Sequence, residues 1–460
     1  MTLIRSISGI RGIVGGKPAE GLTPPEIVRY VSAYAEWLRG RLPGKRLRVV
    51  TGRDSRVSGE SISDIVNSTL MLSGIDVTWL GQASTPTVEI AVFRSGSDGG
   101  IIITASHNPA EWNALKLLDS RGEFLSAEDG GKILAIADSG NFKYCGNDDM
   151  GTKKYEDDWN RKHIDMVLSH PLTDRKAISS ARLTVAADCV NSVGGMIIPD
   201  LLKELGVSRI IPVNCEPTGL FSHNPEPLPG NLTELAETVV REKADMGIAV
   251  DPDVDRLAIV CEDGSMFGEE YTLVAVSDYL LGIRPGTTVS NMSSSRALKD
   301  VTESHGCRYF SSPVGEVNVV EEMKKRGAVI GGEGNGGIIL PDLHYGRDAL
   351  AGVALFLSCL TTRQLKCSEL KRSLPCWHMS KNKIPLNPDH NLARISDAIM
   401  SEFAGSSFDN RDGLRVENEK GWVHIRISNT EPVIRIYSEA ETVAGAEELI
   451  SRVSEVVKKI

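Results

Sequence analysis

No CxxC pair occurs in this chain, and its eight cysteines lie scattered from Cys145 to Cys376. That excludes a zinc or disulfide framework and fits reduced thiols in a cytoplasmic protein. No window approaches the roughly 18 to 20 apolar residues that span a bilayer. The opening Met1-Thr2-Leu3-Ile4-Arg5 has neither the apolar stretch nor the small-residue cleavage site of a signal peptide. Basic stripes are missing too. With a formal net charge of −10 and no clustering of Lys and Arg, the chain is expected to bind neither nucleic acid nor anionic membrane. An acidic protein that handles phosphates must therefore do so with a few local cations. No Gly-Lys-Ser/Thr follows the glycine-rich stretch at 331–337, which excludes a Walker loop. No Gly-x-Ser-x-Gly elbow supports a hydrolase triad.

What is present describes a globular chain of several domains. At 41% hydrophobic and 24% charged residues the composition is that of a soluble protein, and 460 residues exceed one ordinary core. Helical and short β patterns alternate, which predicts an α/β class. Thr23-Pro24-Pro25-Glu26 and the apolar spacing after it predict a capped amphipathic helix. Three segments share a layout, a short apolar run that opens into a polar loop: 98–104, 244–251 and 326–333. Three related α/β mixed-sheet domains follow from that repetition. Pro375, Pro385 and Pro388 break the pattern, and the strands expected after them suggest a smaller α+β domain. The expected boundaries give domains over 1–150, 151–258, 259–374 and 375–460.

Ligands in open α/β sheets gather at the carboxyl ends of strands, so the loops there carry the functional reading. Ser106 lies in Thr104-Ala105-Ser106-His107-Asn108-Pro109 directly after one run, and Asp251-Pro252-Asp253-Val254-Asp255-Arg256 ends another. Asp251, Asp253 and Asp255 alternate, so an extended chain would face all three to one side. Three packed carboxylates repel unless neutralised, and oxygen ligands suit Mg²⁺ or Ca²⁺. An EF-hand is disfavoured because Arg256 stands where that loop needs glycine. A metal held there would also take an oxygen of a phosphate on Ser106. Lys116 reads either as a proton donor and acceptor or as a surface lysine, and His107 as a substrate contact or a loop support. Glu333, among glycines, suits sugar hydroxyls, although a plain hairpin is the simpler reading. Arg426 and Arg435 flank hydroxyl and amide donors in Ser428-Asn429-Thr430, a composition that suits phosphate or an exposed turn.

Taken in order, Ser8-Gly9-Ile10-Arg11-Gly12, the Ser106 loop, the aspartate loop, Gly332-Glu333-Gly334-Asn335-Gly336 and Arg426-Ile427-Ser428-Asn429-Thr430-Glu431-Pro432 resemble the α-D-phosphohexomutases. That family covers phosphoglucomutase, phosphomannomutase and phosphoglucosamine mutase. The resemblance spans the whole chain and implies four domains around a central cleft. It implies a Ser106 that is phosphorylated at rest, with its phosphate completing a Mg²⁺ site formed by Asp251, Asp253 and Asp255. Hexose 6-phosphate and hexose 1-phosphate would interconvert through a 1,6-bisphosphate, which also serves as activator. Arg11, His107 and Lys116 would serve the phosphoserine region, with Lys116 as general acid/base and Arg256 beside them. Glu333 and Asn335 would hold the sugar, and Arg426, Ser428, Asn429, Thr430 and Arg435 the phosphate that is not reacting. The partners implied are small sugar phosphates, and monomer and homodimer remain equally open.

Two departures from the family pattern stand out. Asn113-Ala114 replaces the usual Asn-Gly, which would strain the chain if that position needs positive φ. The sugar loop lacks the Ser-Gly-His ending, so it does not assign the sugar. The Thr-Glu-Pro loop and the opening Ser-Gly-Ile-Arg-Gly look most like phosphoglucosamine mutases, which favours glucosamine phosphate over mannose or glucose phosphate. A metal-dependent phosphatase would leave Ser106 unexplained, and a non-catalytic sugar-phosphate sensor would not need both loops intact.

Overall fold

The computed structural model describes residues 2–6, 9–386, 392–427 and 433–459. The chain divides into two compact units, Met1–Thr272 with Asn335–Leu370, and Leu273–Gly334 with Lys371–Ile460.

The first unit holds two sheets. One has seven strands in the order Ile4–Ser6, Gly9–Ile13, Trp112–Leu118, Gly99–Ile103, Arg48–Arg53, Asp76–Gln82 and Lys153–Tyr155. Gly99–Ile103 runs parallel to Arg48–Arg53 and antiparallel to Trp112–Leu118, so the sheet is mixed. Its central strand is buried along its whole length, as the uninterrupted Gly-Gly-Ile-Ile-Ile run predicts for a strand covered on both faces. The other sheet orders Leu257–Cys261, Met246–Val250, Thr184–Asp188 and Arg209–Val213. Its last three strands are parallel and Leu257–Cys261 is antiparallel. The second unit contains the parallel strands Tyr309–Ser312, Thr288–Asn291 and Ile330–Glu333. It also contains a five-stranded antiparallel sheet formed by His378–Pro385, Val433–Ala440, Gly421–Ile427, Leu414–Asn418 and Ser407–Asp409. Three α/β sheets and a smaller C-terminal antiparallel one are the architecture expected from the sequence.

The helix expected after Thr23 spans Pro24–Arg41, but the Thr23 side chain makes no capping bond. Pro24 and Pro25 have no N–H, so they remove two of the donors that a cap would have to satisfy. Tyr30, Val31, Tyr34 and Leu38 on this helix pack with Val49, Ile101, Ile103 and Leu115 of the sheet. The core thereby fixes the strands that carry the Ser106 loop. Among the described residues no helix is long and apolar enough to cross a membrane.

Candidate active site

Ser106 follows the strand Gly99–Ile103 and takes φ +50°, a left-handed conformation that costs a non-glycine residue about 1 kcal/mol. Its surroundings hold it there. The Ser106 amide donates to Thr104 Oγ1 (2.9 Å), and that hydroxyl donates to Asp54 Oδ2 (2.6 Å). The buried Arg56 guanidinium donates to the carbonyls of Ser106 (2.5 Å), Asn108 (2.7 Å), Pro109 (2.7 Å) and Trp112 (3.0 Å). Asp54 pairs with Arg56 Nε at 3.0 Å. Burial raises the Asp54 carboxyl, an effect that the Arg56 charge opposes. Strain at one residue is thus held by a closed set of bonds around it.

The Ser106 hydroxyl donates to Asp251 Oδ2 at 2.7 Å, which brings the two loops singled out in the sequence into direct contact. The aspartate loop is not extended. Val254 N donates to the Asp251 carbonyl (3.0 Å) in a turn, and Val254 takes φ +62°, an outlying conformation for a β-branched residue. The carboxylates therefore converge because the chain coils around them, not because alternate residues share a face.

Asp253 and Asp255 each have one oxygen fixed by the protein, and Asp251 has both, its Oδ2 by Ser106. Asp251 Oδ1 accepts from the amides of Asp255 and Arg256, both at 3.1 Å. Asp253 Oδ2 accepts from Lys116 Nζ (2.6 Å) and Thr85 Oγ1 (2.7 Å). Asp255 Oδ2 accepts from Arg347 Nη2 (2.7 Å). Asp253 Oδ1 and Asp255 Oδ1, both buried, are left without a hydrogen-bond donor. One candidate ligand oxygen from each residue lies within 4.8 Å of the others. Burial, then the charges of Asp253 and Asp255, push Asp251 well above the usual carboxylate range. Burial pushes Asp253 the same way, but the Lys116 ammonium overrules it and holds Asp253 well below that range. Independently of these shifts, three buried carboxylates this close together repel unless positive charge lies among them. A buried, all-oxygen donor set with two unbonded oxygens fits Mg²⁺.

Lys116 is buried on the strand Trp112–Leu118, not at the surface. Burial disfavours its charge, but the carboxylates of Asp253 and Asp255 outweigh that and raise it. Gly9 pairs with Lys116 and Arg11 with Ala114 across the neighbouring strand. At Gly9, φ is +132° and an added Cβ would meet the Leu115 carbonyl at 1.8 Å, so only glycine brings Arg11 this close. Arg11 Nη1 donates to Asn108 Oδ1 at 2.8 Å. Ala114 lies in regular strand and is not among the residues with positive φ, so the departure from Asn-Gly strains nothing. His107 Nδ1 is 3.3 Å from Ser106 Oγ. Burial, followed by the charges of Arg256, Arg11 and Arg347, depresses it well below the ordinary histidine range. Arg256 Nε lies 3.8 Å from Asp255 Oδ1.

The first unit therefore brings together Arg11, Ser106, His107, Lys116, Asp251, Asp253, Asp255 and Arg256. Asn335 also belongs to it, and its Oδ1 accepts from Gly337 N at 3.1 Å. In the second unit Glu333 is buried, its Oε1 accepting from Asn291 Nδ2 (2.9 Å) and Gly315 N (3.1 Å). Arg426 and Arg435 stand directly opposite each other on adjacent strands. Arg426 Nη1 is buried without a hydrogen bond, 3.6 Å from Asp412 Oδ2. Ser428, Asn429 and Thr430 lie outside the described residues. Thr85, Arg56 and Arg347 were not found from the sequence. Arg56 stands in the polar loop after the strand ending at Arg53, which was a weak signal, and nothing local marked the other two.

Four family profiles match the chain in order, all described as phosphoglucomutase/phosphomannomutase: domain I over residues 3–144, domain II over 161–264, domain III over 268–376 and the C-terminal domain over 387–456. A "Phosphoglucomutase/phosphomannomutase" from Thermococcus kodakarensis is 34% identical over 444 residues, 96% of this chain and 95% of the relative. A "Probable phosphoglucosamine mutase" from Methanopyrus kandleri is 34% identical over 457 residues, covering 98% of this chain and 97% of the relative. The crystal structure of a phosphoglucomutase/phosphomannomutase family protein from Burkholderia thailandensis superposes with a TM-score of 0.85 at 25% identity, covering 99% of this chain and 97% of the other.

Proposed function

The chain belongs to the phosphoglucomutase/phosphomannomutase family, and from that premise we propose that it interconverts a hexose 6-phosphate and a hexose 1-phosphate through a phosphorylated Ser106. The 2.7 Å bond between Ser106 Oγ and Asp251 Oδ2, beside two buried carboxylate oxygens without a donor, carries this reading. A sugar hydroxyl attacks the phosphoserine phosphorus, the bond from phosphorus to Ser106 Oγ breaks, and a hexose 1,6-bisphosphate forms. The reverse transfer from the other position returns a phosphoryl group to Ser106.

Asp251, Asp253 and Asp255 would hold Mg²⁺, which neutralises charge on the group in transfer. Lys116 serves that group as charge partner and proton carrier, while Arg11, His107 and Arg256 line the serine side. Glu333 and Asn335 are assigned to the sugar. The facing pair Arg426 and Arg435 supports a phosphate site, because two guanidinium groups opposite each other on adjacent strands concentrate donors and positive charge that suit a phosphate. Ser428, Asn429 and Thr430 are assigned to the same phosphate from the sequence pattern.

Glucosamine 6-phosphate and glucosamine 1-phosphate are the favoured pair, on the Thr-Glu-Pro loop and the name of the Methanopyrus relative. The equally similar Thermococcus relative favours mannose and glucose phosphates as the second reading. Comparing kcat/KM for glucosamine, mannose and glucose 1-phosphate, each with its 1,6-bisphosphate, decides between them. A clear preference for mannose 1-phosphate would overturn the amino-sugar assignment.

A further inference from the structure

Arg347 lies outside every motif of the sequence, yet its guanidinium reaches Asp255 Oδ2 at 2.7 Å, with the two side chains 10% and 0% exposed. The segment that carries it is fixed on both sides. Arg347 bridges Ile339 in an antiparallel pair, and Asp348 N donates to the Ile338 carbonyl (2.8 Å). Asp348 then caps the helix Ala349–Arg363 through Leu350 N (2.8 Å) and Ala351 N (3.2 Å). Ala349 N donates at 3.2 Å to the carbonyl of the strained Val254. Three consecutive residues thus hold the aspartate loop, or the elements beside it, from one rigid helix start.

Gly337 belongs to the same arrangement. A Cβ added there would meet Arg347 Cδ at 2.3 Å and Cγ at 2.9 Å, closer than real Cβ contacts come. The backbone at Gly337 is not left-handed, so conformation does not require glycine at this position. Space does. The ending of the glycine loop, which departs from the family pattern, leaves the gap through which Arg347 passes.

We propose that Arg347 is a positioning residue for the metal site, fixing one oxygen of Asp255 so that the other faces the ion, and that Gly337 is present to admit it. The inference rests on the Mg²⁺ reading above. Partners that orient metal ligands are typically worth 10- to 100-fold in metal affinity. Lysine is shorter than arginine and ends in a freely turning ammonium instead of a rigid planar group, so charge alone does not reproduce the Nη2 contact with Asp255 Oδ2.

The test is Mg²⁺ titration calorimetry on the full-length protein and on R347K, G337A, R347A and the double variant G337A/R347A. R347K keeps the charge and G337A keeps the arginine, and each is expected to weaken Mg²⁺ binding about 10-fold or more. In the R347A background G337A is expected to change affinity less than twofold, because no Cδ remains to be displaced. R347K binding within twofold of the original protein would overturn the proposal. So would a G337A effect of equal size in both backgrounds. An arginine with a merely structural role would lower the unfolding midpoint of the metal-free protein and leave Mg²⁺ affinity unchanged, which also overturns it. If the original protein binds no Mg²⁺, the metal reading itself falls, an outcome distinct from normal binding with indifferent variants.

Discussion

The Ser106 hydroxyl donates to Asp251 Oδ2 at 2.7 Å across 145 residues of sequence. The contact joins a strained serine to a carboxylate that burial and its neighbours push well above the usual range. Replacing the serine should therefore separate chemistry from stability. Ser106→Gly releases about 1 kcal/mol of left-handed strain and loses a hydrogen bond worth about 1 kcal/mol. The unfolding midpoint is expected to move little, while mutase turnover falls at least about a thousandfold. Urea unfolding and a coupled assay on the same preparation check this. A variant that keeps turnover would remove Ser106 from the reaction.

The metal prediction follows from the two carboxylate oxygens that lack donors. Asp253→Asn removes a negative charge and a hard ligand, so half-maximal turnover is expected to need at least about 10-fold more Mg²⁺. Chelating the metal from the unaltered protein should stop turnover and lower the unfolding midpoint, because the three carboxylates then repel without a cation. A variant with the original Mg²⁺ dependence would refute the site.

A pH dependence follows from the buried group His344, Asp348 and Glu89. Burial alone would lower His344, but the carboxylates of Asp348 and Glu89 outweigh it and raise it to about 10. Its folded value is above the unfolded value of about 6.5. Its contribution is therefore fully present below that unfolded value and is lost as pH rises toward 10. Burial would raise Asp348, but its bond to His163 (2.9 Å) and its contact with His344 hold it well below the usual range. Its contribution is present above about pH 4 and lost as pH falls further. His344→Gln should cost a few kcal/mol at pH 6 and much less at pH 10, as read by unfolding at both values. An equal cost at both would contradict the assignment.

Arg426 and Arg435 occupy paired positions on adjacent strands. Arg435→Gln is expected to raise KM for the hexose 1-phosphate about 10- to 100-fold, the range for a lost charge-assisted bond. Its effect on metal-free stability should be small beside the change in KM. Steady-state kinetics and thermal unfolding test this, and an unchanged KM would dismiss the pair as a phosphate site.

Strands that end in polar loops were legible because an apolar run followed by Ser, Asp or Gly is a local pattern. The helix Pro24–Arg41 and the three α/β sheets follow from it. The supports of the site were not legible. Thr85 reaches Asp253 across 168 residues, Arg347 reaches Asp255 across 92, and Arg56 reaches the Ser106 carbonyl across 50. No spacing rule encodes such contacts, because tertiary packing creates them. The same reason explains the aspartate loop. Alternation describes an extended chain, whereas the turn at Val254 is held by a local bond to Asp251 and by a bond from Ala349 that no window of sequence contains.

Intact mass of the purified protein tests the phosphoserine mechanism most directly. The expected result is a species heavier by one phosphoryl group, lost on incubation with excess hexose monophosphate and absent from Ser106→Ala. A fully active protein that never carries a phosphoryl group, or a phosphoryl group that persists in Ser106→Ala, would contradict it.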